Sequence, residues 1–99
     1  MPVRTEFQND TLLVLLQGDI DHHTASAMRE TIDRTAESCL PQKLVLDFSD
    51  VSFMDSSGVG LVMGRYRLIR SMGGSLEITG ASARIRAMMK MAGLELLGI

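Results

Sequence analysis

Phe53-Met54-Asp55-Ser56-Ser57-Gly58-Val59-Gly60 is the stretch that orders the rest of the chain. Two hydroxyls stand between a carboxylate and a Gly-x-Gly, directly ahead of a helical pattern that begins at Val59. Asp and Ser start helices because their side-chain oxygens accept hydrogen bonds from the first unpaired N–H groups. That end of a helix also carries partial positive charge. A serine placed there, with glycines keeping its surroundings clear, is well sited to carry or contact a phosphate. The bland alternative is a capped helix and nothing more, and the eight residues taken alone go no further than that.

Working outward, Lys43-Leu44-Val45-Leu46-Asp47-Phe48 reads as a strand with Leu44, Leu46 and Phe48 on one face, joined to the central stretch by a short loop. Upstream, Val3 to Gln8 alternates weakly. Asn9-Asp10 is a turn pair leading into Thr11-Leu12-Leu13-Val14-Leu15-Leu16-Gln17, a hairpin that ends in a buried strand. Gly18-Asp19-Ile20-Asp21 closes it. Asp21 or Thr24 then caps a helix with Ala25, Met28, Ile32, Ala36 and Cys39 at helical spacing, stopped by Pro41.

Downstream, Val59, Val62, Met63, Tyr66 and Ile69 form one apolar stripe, with Arg65, Arg67 and Arg70 off it as a solvated face. Gly73-Gly74 stops this helix. Ser75 to Thr79 is a third parallel strand. Ser82 caps a third helix with Ile85, Met88, Met89 and Ala92 inward and Met91 exposed, and Leu94 to Ile99 is a short final strand. The order β-β-α-β-α-β-α-(β) implies parallel pairing through right-handed crossovers, with every helix on one sheet face. The fold class is therefore α/β: one domain, 1–99, with a mixed, mostly parallel sheet of four to five strands.

Composition bounds the function. Ninety-nine residues at 45% hydrophobic and 22% charged make one ordinary globular domain. A net charge of −2 gives no general attraction to nucleic acid or anionic membrane. The single cysteine, Cys39, excludes an internal disulfide. The start has no signal-peptide pattern, and no apolar run approaches a membrane span. A cytoplasmic location is expected.

Beyond the carboxyl ends of the strands the topology gathers Asp19, Asp21, Asp47, Asp50, Asp55, Ser56 and Ser57. Three chemistries suit such a group. Carboxylates holding Mg²⁺ while an aspartate accepts a phosphoryl group is one, but Lys43 and Lys90 are the only lysines available to balance the phosphate. Serine hydrolysis is the second. It needs a base, and His22 and His23 are adjacent residues pointing different ways, with no Gly-x-Ser-x-Gly elbow. In the third, Ser56 is a substrate for another protein's enzyme, and a phosphate there resets a binding surface.

Asp55-Ser56-Ser57-Gly58-Val59-Gly60, preceded by Phe53-Met54 and followed by Gly64-Arg65-Tyr66, resembles the signature of the bacterial anti-sigma factor antagonists of the STAS domain family. Gly18-Asp19-Ile20-Asp21-His22-His23-Thr24 resembles that family's second marker, and the likeness is to its sporulation branch, the anti-sigma-F factor antagonists. The resemblance covers essentially the whole chain. It implies a non-enzymatic partner switch without a cofactor or metal of its own. Ser56 is the implied phosphorylation site for an anti-sigma factor serine kinase using ATP, and a serine phosphatase resets it. Asp21, His22, Asp55, Ser57 and Gly58 are the implied partner-binding residues, Asp21 beside the acceptor and Ser57 and Gly58 shaping its loop. No nucleic acid or membrane partner is implied. A STAS module of another signalling complex or of a transporter tail keeps the same fold. Compared with the family's pattern, the last strand and C-terminal helix are expected to be cut short at Leu97-Gly98-Ile99, leaving an apolar edge that favours self-association.

Overall fold

In the computed structural model, which describes residues 2–99, β1 (Val3–Gln8) pairs antiparallel with β2 (Thr11–Ile20). Asn9 and Asp10 turn the hairpin with φ of 54° and 60°, the left-handed pair that a two-residue loop between twisted strands requires. Asn and Asp tolerate that conformation because a short polar side chain bonds locally. Then follow α1 (His22–Cys39), β3 (Lys43–Met54), α2 (Ser56–Ser71), β4 (Ser75–Thr79), α3 (Ala83–Met91) and a 3₁₀ turn at Leu94–Leu97. The sheet order is β1-β2-β3-β4, with β2, β3 and β4 parallel.

One face of the sheet carries the core. Leu12, Val14, Leu16, Leu44, Leu46, Phe48 and Leu76 alternate onto it and pack against Met28, Ile32, Val62, Ile69 and Ile85. Each such side chain, fully buried, contributes about 1.5–3 kcal/mol. A one-residue slip of any strand would exchange the faces, so the register is strongly specified. The opposite face is open: Leu13 is 37% exposed, and Lys43 pairs with Glu77 there at 2.8 Å.

Several expectations need correction. The strand read as ending at Phe48 continues to Met54, with no loop between. Ser49, Asp50 and Ser52 hide it from a hydrophobic reading, and register shifts against β2 between Leu15 and Gln17 and between Gly18 and Asp19 break its alternation. The buried arc of α2 is rotated from the expected stripe. Leu61, Val62, Arg65 and Ile69 are buried, whereas Val59, Met63 and Tyr66 lie at the rim. Arg65 is thus no part of a solvated face; Arg67 and Arg70 are. On α3, Ile85 and Met89 are buried, but Ala92 is exposed beyond the helix end. The final segment is no strand: Gly93, at φ 81°, turns the chain into the 3₁₀ turn, which buries Leu94.

α1 ends as its sequence suggests. Leu40 takes a left-handed φ of 51°, its N–H donates to the Ala36 carbonyl at 2.8 Å, and Pro41 follows. Among the described residues no helix is long and apolar enough to cross a membrane.

Candidate functional site

β2 and β3 stop side by side, Ile20 opposite Met54. The next residue of each strand is an aspartate, and each aspartate caps a helix. The Asp55 N–H donates to the Ile20 carbonyl at 3.1 Å, so the two caps are stitched together by the last rung of the sheet. His22 and Ser56 therefore begin two neighbouring helices at equivalent positions. This is the carboxyl edge of a parallel sheet, where open α/β folds place their functional groups.

The Asp21 side is closed. Its Oδ1 accepts from the His23 and Thr24 N–H groups, both at 2.9 Å, while the Thr24 hydroxyl lies within donating reach of the Asp19 carbonyl at 2.9 Å and of this Oδ1 at 3.2 Å. The Thr24 hydroxyl oxygen in turn accepts from the Asp21 N–H at 2.8 Å, which completes a reciprocal capping box. The Thr24 N–H holds the Asp21 carboxyl below its ordinary value, helped by His23 and opposed by some desolvation. The cap bonds all fall on Oδ1, so Oδ2 keeps acceptor capacity.

The Asp55 side is looser. Its Oδ1 accepts from the Ser57 N–H at 2.8 Å, and its carbonyl accepts from the Gly58 N–H at 3.0 Å. Ser56 is exposed at the first position of α2 and Ser57 is half-buried. Gly58 is buried, and a Cβ there would lie 2.2 Å from Met54 Cγ. Gly58 seats the first turn of α2 on Met54 and presents little surface of its own, so it can shape the acceptor loop only from beneath. Asp21 and Asp55 are half-buried and His22 is exposed, so these and the two serines form the accessible set.

Asp19 and Asp47 do not join them as a metal centre. Asp47 Oδ1 accepts from the Ser49 N–H at 2.9 Å, and among the described residues no three His, Cys, Asp or Glu side chains are placed to hold a metal ion. His22 and His23 stack edge to face with ring centroids 5.2 Å apart, without a common ligand geometry.

Two features were not legible from the motif. Between α1 and α2, directly behind Ser57, runs a groove of about 380 Å³ whose lining includes His22, Ser26, Arg29, Gly60, Gly64 and Arg65. Arg65, 5% exposed, approaches Asp33 of α1 with Nε 2.8 Å from Oδ1. Burial pushes the Arg65 guanidinium down and the Asp33 carboxyl up, and in each case their mutual attraction opposes the shift. Desolvation thus outweighs the Coulomb attraction, the usual balance for a pair withdrawn from water. The sequence signal was present: Leu61, Arg65 and Ile69 lie four residues apart and share one face. The second feature is Phe53, 44% exposed, with Arg84 of α3 stacked 5.6 Å from its ring centroid.

The STAS domain model matches residues 2–97. The anti-sigma F factor antagonist of Paenibacillus polymyxa is 32% identical over 94 residues, covering 95% of this chain and 80% of the relative. Among solved structures, the anti-sigma factor antagonist SpoIIAA in its unphosphorylated form superposes with a TM-score of 0.82 at 31% identity, covering 93% of this chain and 81% of that one. The Bacillus cell fate determinant SpoIIAA in its phosphorylated form gives 0.76 at 31% identity, covering 94% and 85%. These relatives are regulatory antagonists and not enzymes. A helix-faced, four-stranded mixed sheet, two capped helix starts side by side and a family model spanning nearly every residue agree: the chain belongs to the STAS domain family.

Proposed function

We propose that this protein is an anti-sigma factor antagonist, a partner switch controlled by phosphorylation of Ser56. The observation that carries the reading is the exposed hydroxyl of Ser56 at the first turn of α2, beside the Asp21 cap, in a fold whose relative is known in a phosphorylated form. The unphosphorylated chain binds an anti-sigma factor that is also a serine kinase, and so frees the sigma factor. In the kinase's active centre the Ser56 Oγ–P bond forms as the bond between the γ-phosphorus and the ADP oxygen breaks, and the hydroxyl proton leaves to a base. The catalysis belongs to the partner. A serine phosphatase resets the switch: water attacks the phosphorus, the Ser56 Oγ–P bond breaks, and the hydroxyl and inorganic phosphate are released.

Electrostatics then explains the switch. The phosphate adds about −1.5 to −2 charge at neutral pH. Each of the two helix N-termini favours an anion by about 0.3–1 kcal/mol, while Asp21 and Asp55 oppose it across screened surface. The opposing effects are of similar size, so the fold persists and the surface potential changes. A partner fitted to the neutral hydroxyl then meets a dianion. In this reading Asp21 Oδ2, which the cap bonds leave without a donor, orients the Ser56 hydroxyl in the docked complex, and His22, Asp55 and Ser57 are contacts of the partner. Gly58 acts from beneath, by holding the turn.

The test is to incubate the protein with its cognate anti-sigma kinase and ATP and map the product by mass spectrometry. One phosphate on Ser56, absent from Ser56→Ala, is expected. Ser56→Ala should remain in the partner-binding form and Ser56→Glu should bind more weakly. A base-labile phosphate on an aspartate, or modification of Ser57 instead, would overturn the reading.

A further inference from the structure

α2 contains three interior glycines, and only one has an explanation inside the chain. Gly58 is required by Met54. Gly60 and Gly64 are not: beyond the adjoining backbone of α2 itself, a Cβ built at either meets no atom within 4 Å, and neither has a left-handed φ. Glycine is among the least favourable residues in a helix interior, so two of them without an internal contact call for an external one. Both line the groove between α1 and α2, Gly60 exposed and Gly64 half-buried.

That groove carries positive charge. Arg29 and Arg65 line it, and no Asp or Glu does; Asp33 and Glu37 line the adjoining depression instead. Arg65 is buried with unspent hydrogen-bonding capacity. Its Nε lies 2.8 Å from Asp33 Oδ1, but the approach is not aligned as a hydrogen bond, and both atoms lack a hydrogen-bond partner. Arg65 Nη1 reaches only the Leu61 carbonyl, at 3.4 Å, so this buried guanidinium at the wall of an open groove keeps donors for a carboxylate arriving from outside.

We infer that the α1–α2 groove is the docking surface for an acidic segment of the protein partner that acts on Ser56. A carboxylate of that segment enters between Arg29 and Arg65, and its backbone closes on Gly60 and Gly64. This rests on the partner-switching reading and deepens it. Ser57 stands in the wall of the groove next to Ser56, so a phosphate on Ser56 sets negative charge beside the path of an acidic segment and expels it.

The test compares melting temperature and affinity for the anti-sigma factor in wild type, Gly60→Ala, Gly64→Ala, Gly64→Leu and Arg29→Glu. The alanine variants should melt at or above the wild-type temperature, because a better helix former replaces a glycine that touches nothing. Gly64→Leu and Arg29→Glu should weaken binding about tenfold or more without loss of the fold. Alanine variants that melt lower would assign the glycines to internal packing and overturn the inference. Unchanged binding by Gly64→Leu and Arg29→Glu would overturn the groove alone while leaving the switch intact. Failure of both wild type and Ser56→Ala to bind the anti-sigma factor would remove the switch, and the groove's assignment with it. Preferential occupation of the groove by inorganic phosphate or by a second copy of this chain would also overturn it.

Discussion

Asp21 and Asp55 follow paired residues of neighbouring parallel strands, and each caps the helix that comes next, yet the two turns differ at the third helical residue. In α1 that residue is Thr24, whose hydroxyl closes a reciprocal box with the cap. In α2 it is Gly58, which has no side chain to give. The first turn of α1 is consequently locked by polar bonds and that of α2 by close packing on Met54. Locking α2 from below leaves the upper side of its first turn, where Ser56 sits, clear of side-chain ties. The closed start fixes a carboxylate, and the neighbouring open one offers a hydroxyl beside it.

This contrast can be broken from its strongest side first. Gly58→Ala should cost about 2 kcal/mol, because its Cβ and the buried Met54 side chain claim the same space. Thermal unfolding would show a fall of roughly 10 °C, and combined with Met54→Ala the two losses should be less than additive. Asp21→Ala, which removes the cap and its box together, should lower the melting temperature further than Asp55→Ala. The Asp55 change removes one side-chain cap bond and should cost about 1 kcal/mol. Equal losses would erase the distinction between the two starts.

A pH series sharpens it. The folded Asp21 carboxyl lies below its ordinary 3.8, so its ionisation contributes stability that is complete above that value and is lost as pH falls through the lower folded value. Melts between about pH 5 and pH 2 should therefore be steeper in wild type than in Asp21→Asn. The smallest effect belongs to Ser56→Ala, an exposed change expected to stay within about 0.5 kcal/mol of wild type. A large loss of stability there would make Ser56 a structural cap.

Much of this was legible in the chain. Asn9-Asp10, Pro41, Gly73-Gly74 and Ser82 punctuate it by backbone chemistry that acts within a few residues, and each falls at the expected boundary. Asp21 and Asp55 were legible as helix starts for the same reason, since a cap is a local object. Arg65 was not. A charged residue is normally read as solvent-facing, and only the packing of α1 against α2 puts Arg65 opposite Asp33. The second half of β3 was equally hidden. Its polar residues form a strand because β2 supplies hydrogen-bond partners alongside, not because of their own pattern.

By itself the sequence determined the order of the elements from β1 to α3, the turns and stops at Asn9-Asp10, Pro41 and Gly73-Gly74, and the chemical character of the Asp-Ser-Ser-Gly turn, because those depend on bonds reaching three or four residues. Tertiary structure alone decided which two helix starts stand together, that Gly58 is buried, and that a groove lined by Arg29 and Arg65 opens behind Ser57. Those features arise from contacts between residues far apart in the chain, whose meeting is set by strand pairing and by how α1 and α2 share the same face of the sheet.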